Sequence, residues 1–342
     1  MILKYKNTSS VVLFILFLYG YFKHLIFNKT PYHSYRAMRE LFVRTDGKIN
    51  DSFSFFSQLR KAKKTKYPNK LLKDINSSEI ENIVNNLDVK GFYILDQKLP
   101  EEYVEEIIQQ ARTTPISYVI PQNEKKTLKI EHADKKLLFD SVNPISPRYF
   151  FTMNEILDFK LLQELLFEPL FLQIAQKYLK CEPVLDLFAM WWSAPFHNKA
   201  TSETAQEYHF DMDKLKFLKF FIYLSDVDSQ NGPHMYVEGS HKSLDKKFLK
   251  DQRFSDEDIE NSFDPKLVHE LTAKKGTIIV ADTRGLHKGQ ALMKGERLIF
   301  QIEFSNNLFG MQYSDINCDK VNVKYNQKIS NNPYAYQLFK GV

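Results

Sequence analysis

Two histidines, an aspartate and an arginine give this chain the residue types of a metal site. His209 and Asp211 are two positions apart, His287 follows much later, and Arg297 lies shortly after it. In a β-strand, residues i and i+2 point to the same face, so His209 and Asp211 could bind one ion together. Two imidazoles and one carboxylate on one side of an octahedral ion are typical of non-heme Fe(II) oxygenases. A chance H-x-D pair is the alternative, and the surrounding sequence has to decide between them.

Two predicted strands, 217–227 and 297–304, carry basic residues on a face that is otherwise suited to burial. On each strand alternate residues are wholly apolar, which favours packing against helices, while Lys219 and Arg297 lie on the opposite, mixed face. A buried cation is costly unless it is paired with an anion. We therefore expect both residues to hold an anionic ligand, Arg297 through its planar fork. Ordinary ion pairs at a solvent edge are the alternative, and for Lys219 they fit equally well.

Composition places the chain among globular proteins and excludes several classes of function. Its 342 residues are 43% hydrophobic and 14% aromatic, enough for a substantial core. The net charge of +5 comes from basic residues interleaved with 42 acidic ones, which indicates a solvated surface and no nucleic-acid partner. The two cysteines, Cys181 and Cys318, stand alone. A reducing, cytoplasmic location is therefore expected, without a disulfide scaffold.

The first 30 residues form an apolar segment with two interpretations. Residues 11–27 are almost entirely apolar, with Lys23 and His24 interrupting the run, and no small-residue cleavage site follows. A run of this length is typical of interfacial helices and of core helices, and it is shorter than the roughly 20 residues of a spanning helix. The segment is predicted either to associate with a membrane or to dock as a helix on the domain.

The rest of the chain divides into three predicted parts. Residues 31–86 read as a helical, lysine-rich extension, residues 87–315 as the catalytic domain, and residues 316–342 as a C-terminal tail. Within the domain, 156–179 has the apolar spacing of one long helix. From residue 183 onward, short strands and turns predict a sandwich or barrel. Residues 242–270 are charged, and we expect a helical insertion that is solvated rather than a lid.

Several motifs, in this order and spacing, are similar to those of one known family. They comprise 208–211 (YHFD), 217–227 (FLKFFIYLSDV), 231–234 (NGPH), 239–241 (GSH), 276–277 (GT) and 282–289 (DTRGLHKG), followed by Arg297. Together they resemble the phytanoyl-CoA dioxygenase family of Fe(II)/2-oxoglutarate-dependent oxygenases. The resemblance covers roughly the C-terminal two-thirds of the chain.

The resemblance implies a mainly β core within an α+β fold: a double-stranded β-helix (jelly roll, cupin-like) with buttressing helices. It implies that His209, Asp211 and His287 bind Fe(II) and that Arg297 binds the distal carboxylate of 2-oxoglutarate. The family reaction uses O2 to convert 2-oxoglutarate to succinate and CO2 while a second substrate is hydroxylated, with ascorbate as a supporting reductant. A small molecule, a lipid or a glycan precursor is the expected substrate, since no acyl-CoA-binding signature is found. The alternative is a catalytically silent, cupin-like binding module, tethered to a membrane by its N-terminal run.

Overall fold

The fold combines helices with antiparallel sheets, and the computed structural model describes residues 5–63, 71–119, 135–196 and 205–341. Its helices within these ranges are α1 Ser10–Phe27, α2 Tyr32–Thr45, α3 Lys48–Ser57, α4 Ser77–Lys90, α5 Glu101–Thr113, α6 Met153–Leu157, α7 Lys160–Leu166, α8 Pro169–Leu179, α9 Asp256–Glu260 and α10 Asn326–Asn331. Its strands are β1 Phe92–Lys98, β2 Ser117–Tyr118, β3 Arg148–Phe151, β4 Val184–Ser193, β5 Phe217–Tyr223, β6 His234–Val237, β7 Val268–Leu271, β8 Thr277–Ala281, β9 His287–Gly289, β10 Arg297–Ser305, β11 Ile316–Asn317 and β12 Phe339–Lys340.

Two antiparallel sheets form the centre of the protein. The larger sheet has seven strands in the order β1-β8-β5-β10-β4-β3-β2, and the smaller has three in the order β7-β6-β9. Every neighbouring pair in these two sheets is antiparallel. A mixed helical and antiparallel-sheet architecture was predicted from the sequence, and this level of the prediction is confirmed.

The two faces of the larger sheet pack against different parts of the protein. The outer face packs against α5–α8 in the main hydrophobic cluster, to which β5 and β10 contribute Leu218, Phe220, Ile222, Leu298, Phe300, Ile302 and Phe304. The inner face meets the smaller sheet, where Trp191 and Ile299 pack in one cluster with Tyr236 and Leu271. The predicted division of both strands into a helix-facing side and an interior side is confirmed. Lys219 and Arg297 therefore lie on the side that faces the smaller sheet.

The single long helix predicted for 156–179 is wrong, because this stretch consists of α6, α7 and α8. Glu168, at the junction of α7 and α8, has an extended backbone with φ −69° and ψ 118°. The cause is Pro169, whose ring disfavours a helical conformation at the preceding residue while suiting the first turn of the next helix. The apolar spacing was nevertheless informative, because all three helices bury their apolar residues in the main cluster.

The solvated helical insertion predicted for 242–270 is also wrong. The segment contains the short helix α9, a 3-10 helix at Pro265–Leu267, turns and strand β7. Its apolar residues Leu244, Phe248 and Phe254 are buried and pack with Tyr208 and Phe210. Since a few apolar residues among many charges escape a periodicity test, the sequence pattern hid this packing.

The N-terminal helices dock on the domain. Leu13 and Phe17 of α1 are fully buried with Leu41 of α2 and with Phe309, which follows β10. Gly20 permits this contact, because a Cβ at this position would overlap the Ser34 side chain on α2. Among the described residues, α1 alone is long and apolar enough to span a membrane, and 28% of its residues are buried in the protein.

The predicted segment boundaries do not coincide with gaps in packing. The boundary between residues 86 and 87 falls inside α4, which ends at Gly91 with φ 90°. In the predicted tail, Ile316, Tyr325 and Phe339 belong to the same hydrophobic cluster as the helices of the domain. The division into four segments stays a prediction about the sequence.

A buried carboxylate, Asp282, anchors the loop that leads to His287. It accepts hydrogen bonds from the Tyr178 hydroxyl at 2.7 Å and from the Arg284 guanidinium at 2.9 Å. Arg284 in turn donates to Asp51 of α3 at 2.7 Å. Burial alone would raise the pKa of Asp282, but the Arg284 guanidinium holds this pKa well below its usual range. The loop is therefore fixed to helices α3 and α8 by an ionised network.

We expect Asp282→Asn to lower the free energy of unfolding by about 3–5 kcal/mol, because it leaves the buried Arg284 guanidinium with the exposed carboxylate of Asp51 as its remaining charged partner. Since the folded-state pKa of Asp282 is depressed, its contribution is present above the unfolded-state pKa of about 4 and disappears as the pH falls below it. Urea unfolding between pH 3 and pH 7 measures both effects. Asp96→Asn, at an exposed position on β1, is the control. Equal stability of the two variants at pH 7 would contradict the assigned role.

Candidate metal centre

A pair of backbone hydrogen bonds joins the two segments that carry His209 and His287. The His209 N–H donates to the His287 carbonyl at 3.0 Å, and the His287 N–H donates to the His209 carbonyl at 2.8 Å. Two residues on, the Asp211 N–H donates to the Thr283 carbonyl at 2.8 Å. The predicted strand at 208–211 is thus reduced to isolated bridges, at Tyr208 and His209. The bridge at His209 is nevertheless sufficient to place the two imidazoles side by side.

The side chains of His209, Asp211 and His287 converge on one point. One ligand atom from each lies within 4.8 Å of the others, and this is the group of three potential ligands found in the described part of the chain. The Nε2 atoms of His209 and His287 each lie 3.6 Å from an Asp211 carboxylate oxygen. The three residues that the sequence proposed as ligands are therefore brought together.

Both imidazoles are oriented by their other ring nitrogen. Nδ1 of His209 lies 2.9 Å from the Glu207 carbonyl, and Nδ1 of His287 lies 2.9 Å from the Gly285 carbonyl. A carbonyl only accepts hydrogen bonds, so each Nδ1 carries the proton and each Nε2 keeps a free lone pair. Burial, reinforced by His287, lowers the pKa of His209 to about 3, and burial lowers the pKa of His287 as well. Both rings are neutral at physiological pH.

Asp211 is ionised and is oriented by Lys219. The Lys219 Nζ lies 2.8 Å from Oδ2 of Asp211, 3.3 Å from Asp213 and 3.3 Å from Glu303. Burial alone would raise the pKa of Asp211, but Lys219 and then the two imidazoles hold this pKa far below its usual range. Burial, reinforced by Asp186, raises the pKa of Glu303 well above its usual value. Lys219 therefore neutralises the ionised carboxylate of Asp211 and also contacts the Asp213 side chain.

An external anion was expected at Lys219 because a buried cation needs a counter-charge. The pairing with acidic side chains of the chain itself removes this need. The buried ammonium has its counter-charges within the chain, from Asp211 above all. The interior position was predicted correctly, but the sequence could not show that three acidic side chains meet there. The geometry assigns Lys219 to the support of a ligand, and its role as a co-substrate-binding residue stays an untested prediction.

Arg297 presents the opposite situation, a buried cation to which the described part of the chain offers no counter-charge. It is 5% exposed, and burial lowers its pKa to about 10, so it stays charged at neutral pH. Nη2 lies 3.4 Å from the Ser193 hydroxyl, while Nε and Nη1 have no hydrogen-bond partner in the described residues. Gly289, two residues beyond His287 on β9, is adjacent to it, since a Cβ at this position would be in van der Waals contact with Nη2 at 3.4 Å. The guanidinium thus lies close to the histidine segment with two donor groups free.

Two further histidines follow β5, and they differ in their hydrogen bonding. His241 has one hydrogen bond, at 3.0 Å between Nε2 and the Asp88 carbonyl. Both ring nitrogens of His234 lack a partner in the described residues. The ring lies parallel to His287, with centroids 5.9 Å apart. Since it lies between the triad and the inner face of the sheet, His234 belongs to the wall of the site.

Arg148 is a site residue that the sequence analysis missed. Arg148 on β3 and Arg297 on β10 are both paired with Ser193 of β4, so the three residues form one row across the sheet. Arg148 stacks on the Trp191 ring at 4.5 Å. Burial, reinforced by Arg297, lowers the pKa of Arg148 to about 9, and no carboxylate contributes to the shift. Only the strand register places Arg148 beside Arg297, and no motif signals it.

The N-terminal helices support both ligand-bearing segments. Phe42 of α2 stacks on Phe210, the residue between His209 and Asp211, with ring centroids 5.6 Å apart. Asp51 of α3 pairs with Arg284 in the loop before His287. The extension is therefore part of the structure that positions the triad.

The donor set fits Fe(II). Two neutral imidazoles and one ionised carboxylate on one side of the ion leave coordination positions open for a co-substrate. The buried, unpaired donors of Arg297 fit one carboxylate of a dicarboxylic acid such as 2-oxoglutarate. Both groups correspond to cofactors that were expected from the sequence.

A comparison with known protein families supports the assignment of the chain to the Fe(II)/2-oxoglutarate-dependent oxygenases. Residues 87–293, more than half of the chain, match the sequence profile of the family described as Phytanoyl-CoA dioxygenase (PhyH). No curated protein matches the chain.

Three solved structures illustrate the similarity in fold. The α-ketoglutarate-dependent epimerase SnoN from nogalamycin biosynthesis is 15% identical, with a TM-score of 0.48 over 67% of this chain and 84% of the other. EctD from S. alaskensis is 15% identical, with a TM-score of 0.46 over 72% and 80%. HygX from Streptomyces hygroscopicus, with nickel and 2-oxoglutarate bound, is 14% identical, with a TM-score of 0.43 over 73% and 94%. Similarity at this level does not extend to the substrate.

We expect the double variant His209→Ala/His287→Ala to lose stoichiometric binding of Mn(II), an inert substitute for Fe(II), because two of three ligands are removed. Isothermal titration calorimetry of the metal-free protein measures the affinity and stoichiometry of Mn(II) binding, and circular dichroism verifies the fold. His241→Gln is the matched control, since its ring bonds to a carbonyl outside the triad. Full-strength binding by the double variant would refute the assignment.

Proposed function

The chain belongs to the phytanoyl-CoA dioxygenase family of Fe(II)/2-oxoglutarate-dependent oxygenases, and we propose that it hydroxylates a small organic molecule at the site formed by His209, Asp211, His287 and Arg297. One observation carries the proposal. Three ligand atoms of the required types converge within 4.8 Å, beside a buried guanidinium with free donors. A structural cluster would satisfy its own charges, as the Lys219 cluster does.

The residues around the metal site would have distinct roles in this reaction. When bound, Fe(II) supplies the oxidation of 2-oxoglutarate by O2, to succinate and CO2, that is coupled to hydroxylation of the second substrate. The Glu207 and Gly285 carbonyls hold the imidazoles in the tautomer that ligates through Nε2. Lys219 keeps Asp211 ionised and fixes its orientation. Trp191 and Tyr223 line the inner sheet face and exclude water from it.

We also infer that the two antiparallel sheets form a double-stranded β-helix. The support is that the inner faces of both sheets share one cluster and that the ligand-bearing segments lie at the smaller sheet. In a jelly roll the site lies between the sheets, which agrees with the inward position of Arg297.

The substrate is proposed to be a lipid in preference to a glycan precursor. The apolar N-terminal run, residues 11–27, is proposed to bring the enzyme to a membrane surface on the cytoplasmic side, where lipids are concentrated. Arg148, half-buried in one row with Arg297, adds a second cation for which the described residues supply no carboxylate partner, and this favours a substrate that carries a negative group.

A catalytically silent binding module is the alternative function. It would bind metal and 2-oxoglutarate but release no succinate. Succinate release, screened across lipid, glycan and metabolite libraries with Fe(II) and ascorbate, distinguishes the two. Stimulation by one compound supports the enzyme, while metal binding without any turnover supports the silent module.

Arg297→Ala should raise the 2-oxoglutarate concentration needed for half-saturation at least about tenfold, since charge-assisted contacts contribute about 1.5–3 kcal/mol and one decade corresponds to about 1.4 kcal/mol. Titration of the Mn(II)-loaded protein with 2-oxoglutarate measures this half-saturating concentration. The affinity for Mn(II) should barely change. The control is Arg112→Gln, an exposed arginine paired with Glu296. An unchanged titration would move the anion site elsewhere, with Lys219 the next candidate.

The carboxylate at Asp211 predicts hydroxylation and excludes halogenation. Asp211 fills the coordination position that halide would need, and its charge offsets part of that of the metal. Once a substrate is found, turnover under ¹⁸O₂ in excess chloride should give a product heavier by one ¹⁸O atom, as measured by mass spectrometry. A chlorinated product from the wild-type protein would overturn this assignment.

A further inference from the structure

Helix α1 has two apolar faces, and the protein covers only one. The covered face consists of Leu13, Phe17, Gly20, Tyr21 and His24. On the opposite face, large apolar side chains recur at helical spacing and stay open to solvent, with 58–72% of their surface exposed: Val11, Ile15, Tyr19, Phe22 and Ile26. In a globular protein, the solvent-facing side of such a helix ordinarily carries polar residues.

Helix α3 and the residues after it extend this surface. Phe55, Phe56 and Leu59 are between 52% and 77% exposed. A groove of 540 Å³ connects Phe56 and Leu59 with α1, where its lining includes Phe22 and Leu25. The apolar side chains therefore form one continuous surface, which we call the α1–α3 face. It extends well beyond scattered surface residues of the ordinary kind.

The sequence segments that flank α1 and follow α3 are predominantly basic. No Asp or Glu precedes Glu40, whereas Lys4, Lys6, Lys23 and Lys29 are basic. Between Asp51 and Asp74 the sequence again has no acidic residue, and it carries seven basic ones: Arg60, Lys61, Lys63, Lys64, Lys66, Lys70 and Lys73. Basic clusters next to an apolar surface are attracted to anionic lipid headgroups.

The packing of α1 determines how it would meet a membrane. To span a bilayer, α1 would have to leave the domain and expose Phe17, Leu41 and Phe309 to water. Its docked face also carries the polar ring of His24, which is buried against Phe309 with ring centroids 5.9 Å apart. A helix that is buried on one side and apolar on the other is suited to lie along the interface, with the apolar side among the acyl chains.

We propose that the α1–α3 face is a monotopic docking surface for a bilayer leaflet that contains anionic lipids. It takes up the membrane association proposed above and adds its geometry: α1 lies parallel to the membrane plane while docked on the domain, and the basic residues around it contact the headgroups. The apolar area and the basic residues supply the two contributions that stable, reversible membrane binding requires.

Sedimentation of the full chain with lipid vesicles tests the proposal. We expect binding to phosphatidylcholine vesicles that contain about one-third phosphatidylserine, and at least tenfold weaker binding to pure phosphatidylcholine or at 1 M salt, where charges are screened. Ile15→Glu/Ile26→Glu should reduce binding at least tenfold. The matched control is Val89→Glu/Val323→Glu, which places two glutamates at exposed valines outside the face.

Orientation is tested separately with single tryptophan reporters. Ile15→Trp and Ile26→Trp, near the two ends of the exposed face, should both be quenched by lipids brominated near the headgroup and little by lipids brominated at the chain end. Strong quenching at the chain end, or N-terminal residues protected from protease inside sealed vesicles, would establish a spanning helix and overturn the proposal.

Two further outcomes would also overturn it. Equal vesicle binding by the wild type and the Ile15→Glu/Ile26→Glu variant would locate the docking surface elsewhere. Absence of binding, together with a dimer that this variant dissolves, would assign the face to a second copy of the chain. The oxygenase assignment is tested independently: His209→Ala/His287→Ala should bind vesicles like the wild type, and Ile15→Glu/Ile26→Glu should bind Mn(II) normally.

Discussion

The backbone pairing between His209 and His287 is the constraint on which the site depends. Two hydrogen bonds, at 2.8 and 3.0 Å, join segments that lie far apart in the sequence and set their register. Because side chains alternate along a strand, a slip of one residue would turn His209 and Asp211 together to the face opposite His287. The surrounding structure maintains this register through Asp282, which holds the loop before His287, and through Phe42, which packs on Phe210.

Charge is distributed unevenly over the inner face of the larger sheet. Lys219 is neutralised by Asp211 and its acidic neighbours, while Arg297 and Arg148 face no carboxylate contribution in the described residues. These two situations affect the stability of the folded protein differently. A buried charge with a counter-charge is compatible with a stable fold, whereas a buried charge without one lowers the stability. An anionic ligand would relieve this penalty, so the energy that the fold loses at Arg297 is available for binding.

The N-terminal helices connect this site with the outer surface of the protein. Helix α1 packs on α2, α2 reaches Phe210, and α3 pairs with Arg284. A membrane that binds the exposed side of α1 would therefore act on elements that contact both ligand-bearing segments. This arrangement argues against a flexible tether and makes the extension a structural part of the oxygenase.

The sequence by itself identified three candidate ligand residues and the inward position of Arg297 and Lys219, because residue type and alternation depend on neighbours in the chain. The break of the predicted long helix at Pro169 is also a local effect, whereas the packing of 242–270 on Phe210 depends on contacts between distant residues. Only tertiary structure decided that Lys219 is paired internally, that His234 is not paired, and that Arg148 stands in one row with Arg297. Whether a buried charge is compensated depends on which side chains the fold brings within a few ångströms, and no local pattern contains that information.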